Sequence, residues 1–117
     1  MATRFELVLE TGGKFHFLLR SPDGEVLLRS LAGDSKIMAQ NELLHARNAL
    51  RDDARLVPHE GEDGSRFLIV KDRDGSVLAR SPKVNTAAEL HALTEQIRHA
   101  GQGAPVIDLT KRRAHDA

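Results

Sequence analysis

The chain has no cysteine, tyrosine or tryptophan among its 117 residues, and its 17 basic and 17 acidic side chains cancel to a formal charge of zero. Without cysteine there is no disulfide framework and no thiolate site, whether zinc, iron–sulfur or cysteine nucleophile. With only four phenylalanines left among the large aromatics, there is little to stack on sugars or bases. Zero net charge removes any global field that would draw the chain onto nucleic acid or an anionic membrane, so a polyanion would need a local patch. The apolar run in the opening MATRFELVLETGG is broken by Glu6 and is too short for a signal-peptide core. No stretch approaches the roughly 20 residues of a membrane span. The expected location is therefore cytoplasmic, without a membrane. A chain of this length folds by default as one domain, stabilised by packing alone.

Against these gaps stands a repetition. DGEVLLRS at 23–30 returns as DGSVLARS at 74–81, a step of 51 residues. Compared without a gap at that step, 13–30 and 64–81 agree at seven of 18 positions: Gly13/Gly64, Asp23/Asp74, Gly24/Gly75, Val26/Val77, Leu27/Leu78, Arg29/Arg80 and Ser30/Ser81. Any two hairpins share an Asp-Gly turn and some Val and Leu, but this register extends beyond the hairpin. In each copy two apolar runs flank the Asp-Gly, KFHFLLR with EVLLR and RFLIVK with SVLAR, and the glycine supplies the positive φ of a tight turn. Helix start signals follow at Asp34 and Ser35 and again at Asn85 and Thr86, predicting helices from about Lys36 to Arg51 and from Ala87 to Ala100. Ala39, Leu43, Ala46 and Leu50, and then Leu90, Leu93, Ile97 and Ala100, recur at spacings of three and four, one buried face per helix. The same step relates Phe5 to Leu56 and Leu56 to Ile107, so FELVL, LVPHE and IDLTK read as three copies of one strand. The middle copy is expected to end one unit, begin the next and tie both into one sheet. Pro58 and Pro105 cannot donate to a ladder and belong at edges, ends or bulges.

FELVLETGGKFHFLLRSPDGEVLLRS, followed by SKIMAQNELLHARN, resembles the first repeat of the YegP-like family of small bacterial proteins. That repeat runs from a Phe-Glu strand through a Gly-Lys-Phe strand and an Asn/Asp-Gly hairpin to a Ser-Lys-x-x-Ala helix. The second half follows the same order more loosely, so the likeness extends from Arg4 to about Leu109. It implies a β(3)-α-β repeat, two of which share a sheet by exchanging C-terminal strands, with single-repeat members reaching the same arrangement as dimers. It implies no activity. The family often has Glu or Gln after the hairpin serine and Tyr shortly before the helix. Here Leu31 and Gly33, then Pro82 and Val84, occupy those places, so a polar or aromatic site built there in relatives is not expected in this chain.

The fold expected is thus α+β: two tandem β3α repeats, 4–55 and 56–110, sharing one antiparallel-rich sheet, with exchanged C-terminal strands, two helices on one face, and a polar tail at 111–117. No catalytic, cofactor or metal residues are assigned. The histidines are His16, His45, His59, His91, His99 and His115. His91 and His99 sit two turns apart, about 12 Å along the axis, too far to share a metal. GEDG at 61–64 lacks the GK[ST] of a phosphate loop and precedes a strand, not a helix. The carboxylates of Asp52, Asp53, Glu60, Glu62 and Asp63 read as solvated loop charge.

Pairing Arg20 with Glu25 and Leu19 with Val26 puts Phe15, Phe17, Leu19, Val26 and Leu28 on the helix-covered face. The opposite face then carries Leu18, Leu27, Arg29, Phe67, Ile69, Leu78 and Arg80, with His16, Arg20 and Lys71 beside them. Such a face is either covered by loops and by arginine and lysine stems, or an interface for a partner protein or for self-association, or a surface for anions and nucleic acid. A non-enzymatic interaction module with an unknown partner is the leading expectation. Nucleic-acid or anion binding through the basic residues of this face and the tail Lys111, Arg112 and Arg113 is the alternative. Duplication within one chain predicts a monomer. It also predicts an asymmetric surface, since Phe67 stands where the first half has His16.

Overall fold

Both hairpins and both capped helices form where the sequence signals them. The structure is a computed structural model that describes residues 2–110, so the tail at 111–117 lies outside the described residues. Strand β1 (Arg4–Leu9) leads to the hairpin of β2 (Phe15–Arg20) and β3 (Val26–Arg29), then to helix α1 (Lys36–Ala49). A 3-10 turn at Asp53–Arg55 leads into β4 (Leu56–Glu60), the hairpin of β5 (Arg66–Lys71) and β6 (Val77–Arg80), helix α2 (Ala87–Gly101) and β7 (Val106–Asp108). Gly24 and Gly75 close the two hairpin turns, each at φ 89°, a conformation open to glycine at no steric cost. Ser35 caps α1 by accepting from the Met38 N–H at 3.2 Å. Thr86 and Glu89 form a reciprocal capping box on α2, each side chain accepting the other's backbone N–H at 3.0 Å.

All seven strands join one sheet in the order β4-β5-β6-β3-β2-β1-β7. It is antiparallel except where β7 runs parallel to β1. The architecture of the described residues is α+β, with one sheet and two α-helices. The two hairpins meet at the centre, where β3 and β6 pair with Arg29 opposite Arg80. This differs from the expected tie through the middle strand copy: β4 has β5 as its one ladder partner and forms an outer edge. Its geometry explains this. Pro58 has no N–H, and the Leu56 N–H is already given to Asp53 O of the 3-10 turn, so β4 has few donors with which to bridge two units. Pro58 and Pro105 do lie at edges, Pro58 within β4 and Pro105 just before β7.

The core lies between the helices and the sheet face carrying Phe17, Leu19, Leu28, Leu68 and Val70, all of them fully buried. Leu43, Ala46 and Leu50 from the first helical segment and Leu90 and Ile97 from α2 pack there, and Phe5 meets Phe17 edge to face at 6.2 Å. The serine that ends each repeated octapeptide has a backbone role. Ser30 Oγ accepts from the Phe17 N–H at 2.9 Å and donates to Leu31 O; Ser81 Oγ accepts from the Leu68 N–H at 2.8 Å and donates to Pro82 O. Both serines are buried, so each hydroxyl satisfies backbone groups that the ladder leaves over.

Each hairpin carries a β-bulge. Leu19 pairs with Leu28 and Arg20 with Val26, leaving Leu27 as the extra residue; Val70 pairs with Ala79 and Lys71 with Val77, leaving Leu78. This corrects the expected pairing of Leu19 with Val26. The slip is an even two residues, so Leu19 and Leu28 keep the core face.

Candidate interaction surface

The bulges decide what the sheet can present. Leu27 and Leu78, expected on the open face, belong to the core cluster and are each 4% exposed. They give no area to a surface, because an extra residue breaks the alternation that would have turned them outward. Leu18 does stand between Glu6 of β1 and Arg29 of β3, but it too is buried. Of the seven expected surface residues, the structure leaves Arg29 and Arg80 exposed and Phe67 and Ile69 half-buried. The face is therefore less apolar and more cationic than alternation alone predicts.

The arginine pair sits where the two hairpins meet. Antiparallel pairing brings Arg29 and Arg80 side by side, and both line a shallow depression of about 360 Å³ with Leu31 and Pro82 at its rim. Among the described residues neither guanidinium reaches a carboxylate within ion-pair distance. Each leans on a ring instead. Arg29 Nη1 is 3.4 Å from His16 Nε2, and Arg80 lies over Phe67 at 5.8 Å from its centroid, where the ring face attracts a cation. His59 stacks obliquely on Phe67 at 4.8 Å. His16 is buried, its Nδ1 2.6 Å from Glu10 Oε2 without the alignment of a hydrogen bond.

Two nearby cations are bound within the fold. Arg20, expected to join the basic surface, gives its Nε to Glu6 at 2.7 Å and its Nη1 to Gly24 O at 2.8 Å. Arg4 holds the other oxygen of the same buried Glu6 at 3.0 Å. Lys71 remains half-buried without an ion-pair partner among the described residues. Strand alternation places Arg20 beside the open face, and its pairing with Glu6, 14 residues away on another strand, becomes visible only with the β1–β2 register.

Several other carboxylates are engaged in local structure. Burial pushes the Asp108 carboxyl up, but the Thr110 hydroxyl, the Lys36 ammonium and the Thr110 N–H outweigh it and hold the carboxyl at about 2. Asp63 and Asp74 lie below the usual carboxylate range because Ser65 and Ser76 donate to them from the loops before β5 and β6. Such shifts come from turn geometry, not from a pocket that sets an acid against a base. Among the described residues no three of His, Cys, Asp and Glu gather as metal ligands. Likewise, no helix is long and apolar enough to cross a membrane.

Comparison with known proteins agrees with this fold. No family model matches the chain. It is 25% identical over 108 residues to a UPF0339 protein of Pseudomonas aeruginosa, covering 92% of this chain and 98% of that one. It is 24% identical over 110 residues to a UPF0339 protein of Acinetobacter baylyi, with 94% and 99% covered. Among solved structures, yegP of E. coli, described as a protein of unknown function, superposes with a TM-score of 0.85 at 23% identity over 93% of this chain and 94% of that one. A UPF0339 protein of Shewanella oneidensis gives 0.88 at 20% identity over 100% and 99%.

Proposed function

We propose that this YegP-like chain, a homologue of the UPF0339 proteins, is a non-enzymatic interaction module whose partner protein presents carboxylates to Arg29 and Arg80. The observation that carries the reading is the arginine pair itself: two exposed arginines directly paired across β3 and β6, with no carboxylate of the described chain on either. Two like charges on neighbouring strand positions disfavour one another, and an incoming anion relieves that repulsion while forming charge-assisted hydrogen bonds. Phe67 and Ile69 supply the apolar contact beside them, and the buried Leu18, Leu27 and Leu78 hold the strands that carry them. The names of the relatives carry no catalytic activity.

The same reading takes the two halves as tandem β3α units that share a sheet, supported by the seven identities in 18 positions and by the paired serine bonds. Fusion of two units in one chain supports a monomer of 12.9 kDa. The cysteine-free composition supports a cytoplasmic setting. Nucleic acid is the second reading, because a phosphate backbone also satisfies paired arginines.

The test is an amide-shift titration of the 15N-labelled chain with a glutamate-rich peptide and with a single-stranded oligonucleotide, at low and moderate salt. The peptide is expected to shift the amides of Arg29 and Arg80, with affinity falling about tenfold in Arg29→Ala and in Arg80→Ala. Binding of the oligonucleotide alone, falling steeply with salt, would move the assignment to nucleic acid. No shift from either probe at low salt would remove both.

A further inference from the structure

The two edges of the sheet are finished differently. At one edge β7 lies along β1: the Phe5 N–H donates to Pro105 O at 2.8 Å, and the Leu109 N–H to Leu7 O at 2.9 Å. Helix α1 clips the strand from above, Arg47 Nη1 donating to Ala104 O at 3.3 Å and Lys36 Nζ meeting Asp108 at 2.9 Å. A step of 51 residues carries Phe5, Leu7 and Arg47 onto Leu56, Pro58 and Arg98. Those three residues line a groove of about 400 Å³ that opens between β4 and α2 at the opposite edge, with Leu68 and Leu90 as its apolar floor.

Two features define what this groove accepts. First, β4 cannot donate to a ladder as β1 does, because the Leu56 N–H is bonded to Asp53 O and Pro58 has none; its carbonyls remain as acceptors. Second, the groove walls hold donors without acceptors. Nε of Arg66 and Nε of Arg98 are buried and lack a hydrogen-bond partner. Arg66 Nη1 reaches Glu60 at 3.4 Å, and Arg98 Nη2 reaches Asp53 at 3.0 Å and Glu95, itself on the groove wall, at 3.3 Å; Glu60 and Asp53 are 57% and 75% exposed and so open to exchange for another acceptor. Oxygen-rich backbone or a carboxylate is the chemistry such walls select.

We propose that the groove between β4 and α2 docks an extended segment of a partner protein, an apolar residue beside an acidic one, lying along β4 as β7 lies along β1. Its N–H groups meet the free carbonyls of β4, and its oxygens meet Arg66 and Arg98, which replace the backbone donors that Leu56 and Pro58 do not offer. The apolar side chain enters the floor of Leu56, Leu68 and Leu90. A second copy's β7 is not the occupant, since that strand is already held on its own β1 by ladder bonds and by Arg47 and Lys36.

The probe is a capped synthetic peptide with the sequence of residues 103–109, GAPVIDL, because that segment fits the related groove, together with the same peptide carrying asparagine for its aspartate. Titrated into the 15N-labelled full chain, the first peptide is expected to shift amides of β4 and of α2 between Leu90 and Arg98 saturably, leaving Arg29 and Arg80 unmoved. Affinity is expected to fall at least tenfold in Arg98→Met and about threefold with the asparagine peptide. His91→Trp, which places bulk at the groove mouth from an exposed position, is expected to block binding while the spectrum stays folded, should Arg98→Met itself perturb the helix. Any one of three results overturns the proposal: no shift at millimolar peptide, shifts confined to β1 and α1, or unchanged affinity in His91→Trp. Because the arginine pair is read from different amides, failure here leaves the carboxylate-binding face to its own test.

Discussion

In the first half of the sheet Glu6 gathers Arg4 and Arg20 into a buried pair of bridges; in the second half Val57 stands at the matching strand position, opposite Ile69 as Glu6 is opposite Leu18. One substitution changes the electrostatics of a whole quadrant. With Glu6 present the neighbouring cations are structural. With Val57 in its place, Lys71 remains without a carboxylate and the outer face of the second half is the more cationic and more aromatic one. Similar frameworks thus direct charge inward on one side and outward on the other.

The largest test of this difference lies where the two halves interlock. Leu50 follows α1 and is fully buried, while Gly101, 51 residues on, ends α2; a Cβ added to Gly101 would overlap Leu50 Cδ1. Leu50→Ala is expected to lower unfolding stability by about 2–5 kcal/mol through the cavity it leaves, and Gly101→Ala by about 1–3 kcal/mol through overpacking. Denaturant midpoints of the double variant should show less than the sum, since removing Leu50 makes room for the new methyl.

Next is the charge contrast itself. Glu6→Ala leaves Arg4 and Arg20 without their acceptor and is expected to cost about 2–3 kcal/mol, whereas Val57→Ala costs about 1 kcal/mol; equal losses by chemical denaturation would erase the contrast. Ser30→Ala and Ser81→Ala should then mark where the halves agree. Each orphans a buried backbone N–H, of Phe17 or Leu68, for about 1–3 kcal/mol. The smallest effect belongs to the edge that carries β7. The Asp108 carboxyl is depressed from 3.8 to about 2, so its contribution is complete above 3.8 and is lost as pH falls through about 2. At 23% side-chain exposure it amounts to at most about 2 kcal/mol. Protection from hydrogen exchange at Val106–Asp108, taken relative to the intrinsic exchange rate at each pH, should fall over that range, and Asp108→Asn should remove that fall.

The sequence was legible wherever a local rule acts alone. Gly24 and Gly75, the caps at Ser35 and Thr86, and the edge positions of Pro58 and Pro105 follow from backbone sterics and unsatisfied N–H groups, and the structure has each in its place. The YegP-like resemblance pointed to the same α+β architecture. Illegible were features that depend on register between distant segments. A period of two cannot announce an extra residue, so alternation turns Leu27 and Leu78 outward whereas the bulged strands bury both in the core cluster. Nor could spacing show that Glu6 would take Arg20, or that Arg66 and Arg98 would share a groove with Pro58. The functional surface suffers most from this, because it is what remains after long-range pairs have claimed their partners.

The meeting of Leu50 and Gly101 has one more consequence. An assembly of two identical subunits must place the same side chain at both sites facing its axis, so two leucines would collide there and two glycines would leave a hole. A single continuous chain escapes that constraint. By setting a large residue against none, it fills its centre with one off-axis side chain, a packing solution closed to any symmetric homodimer and one that makes each half a poor substitute for the other.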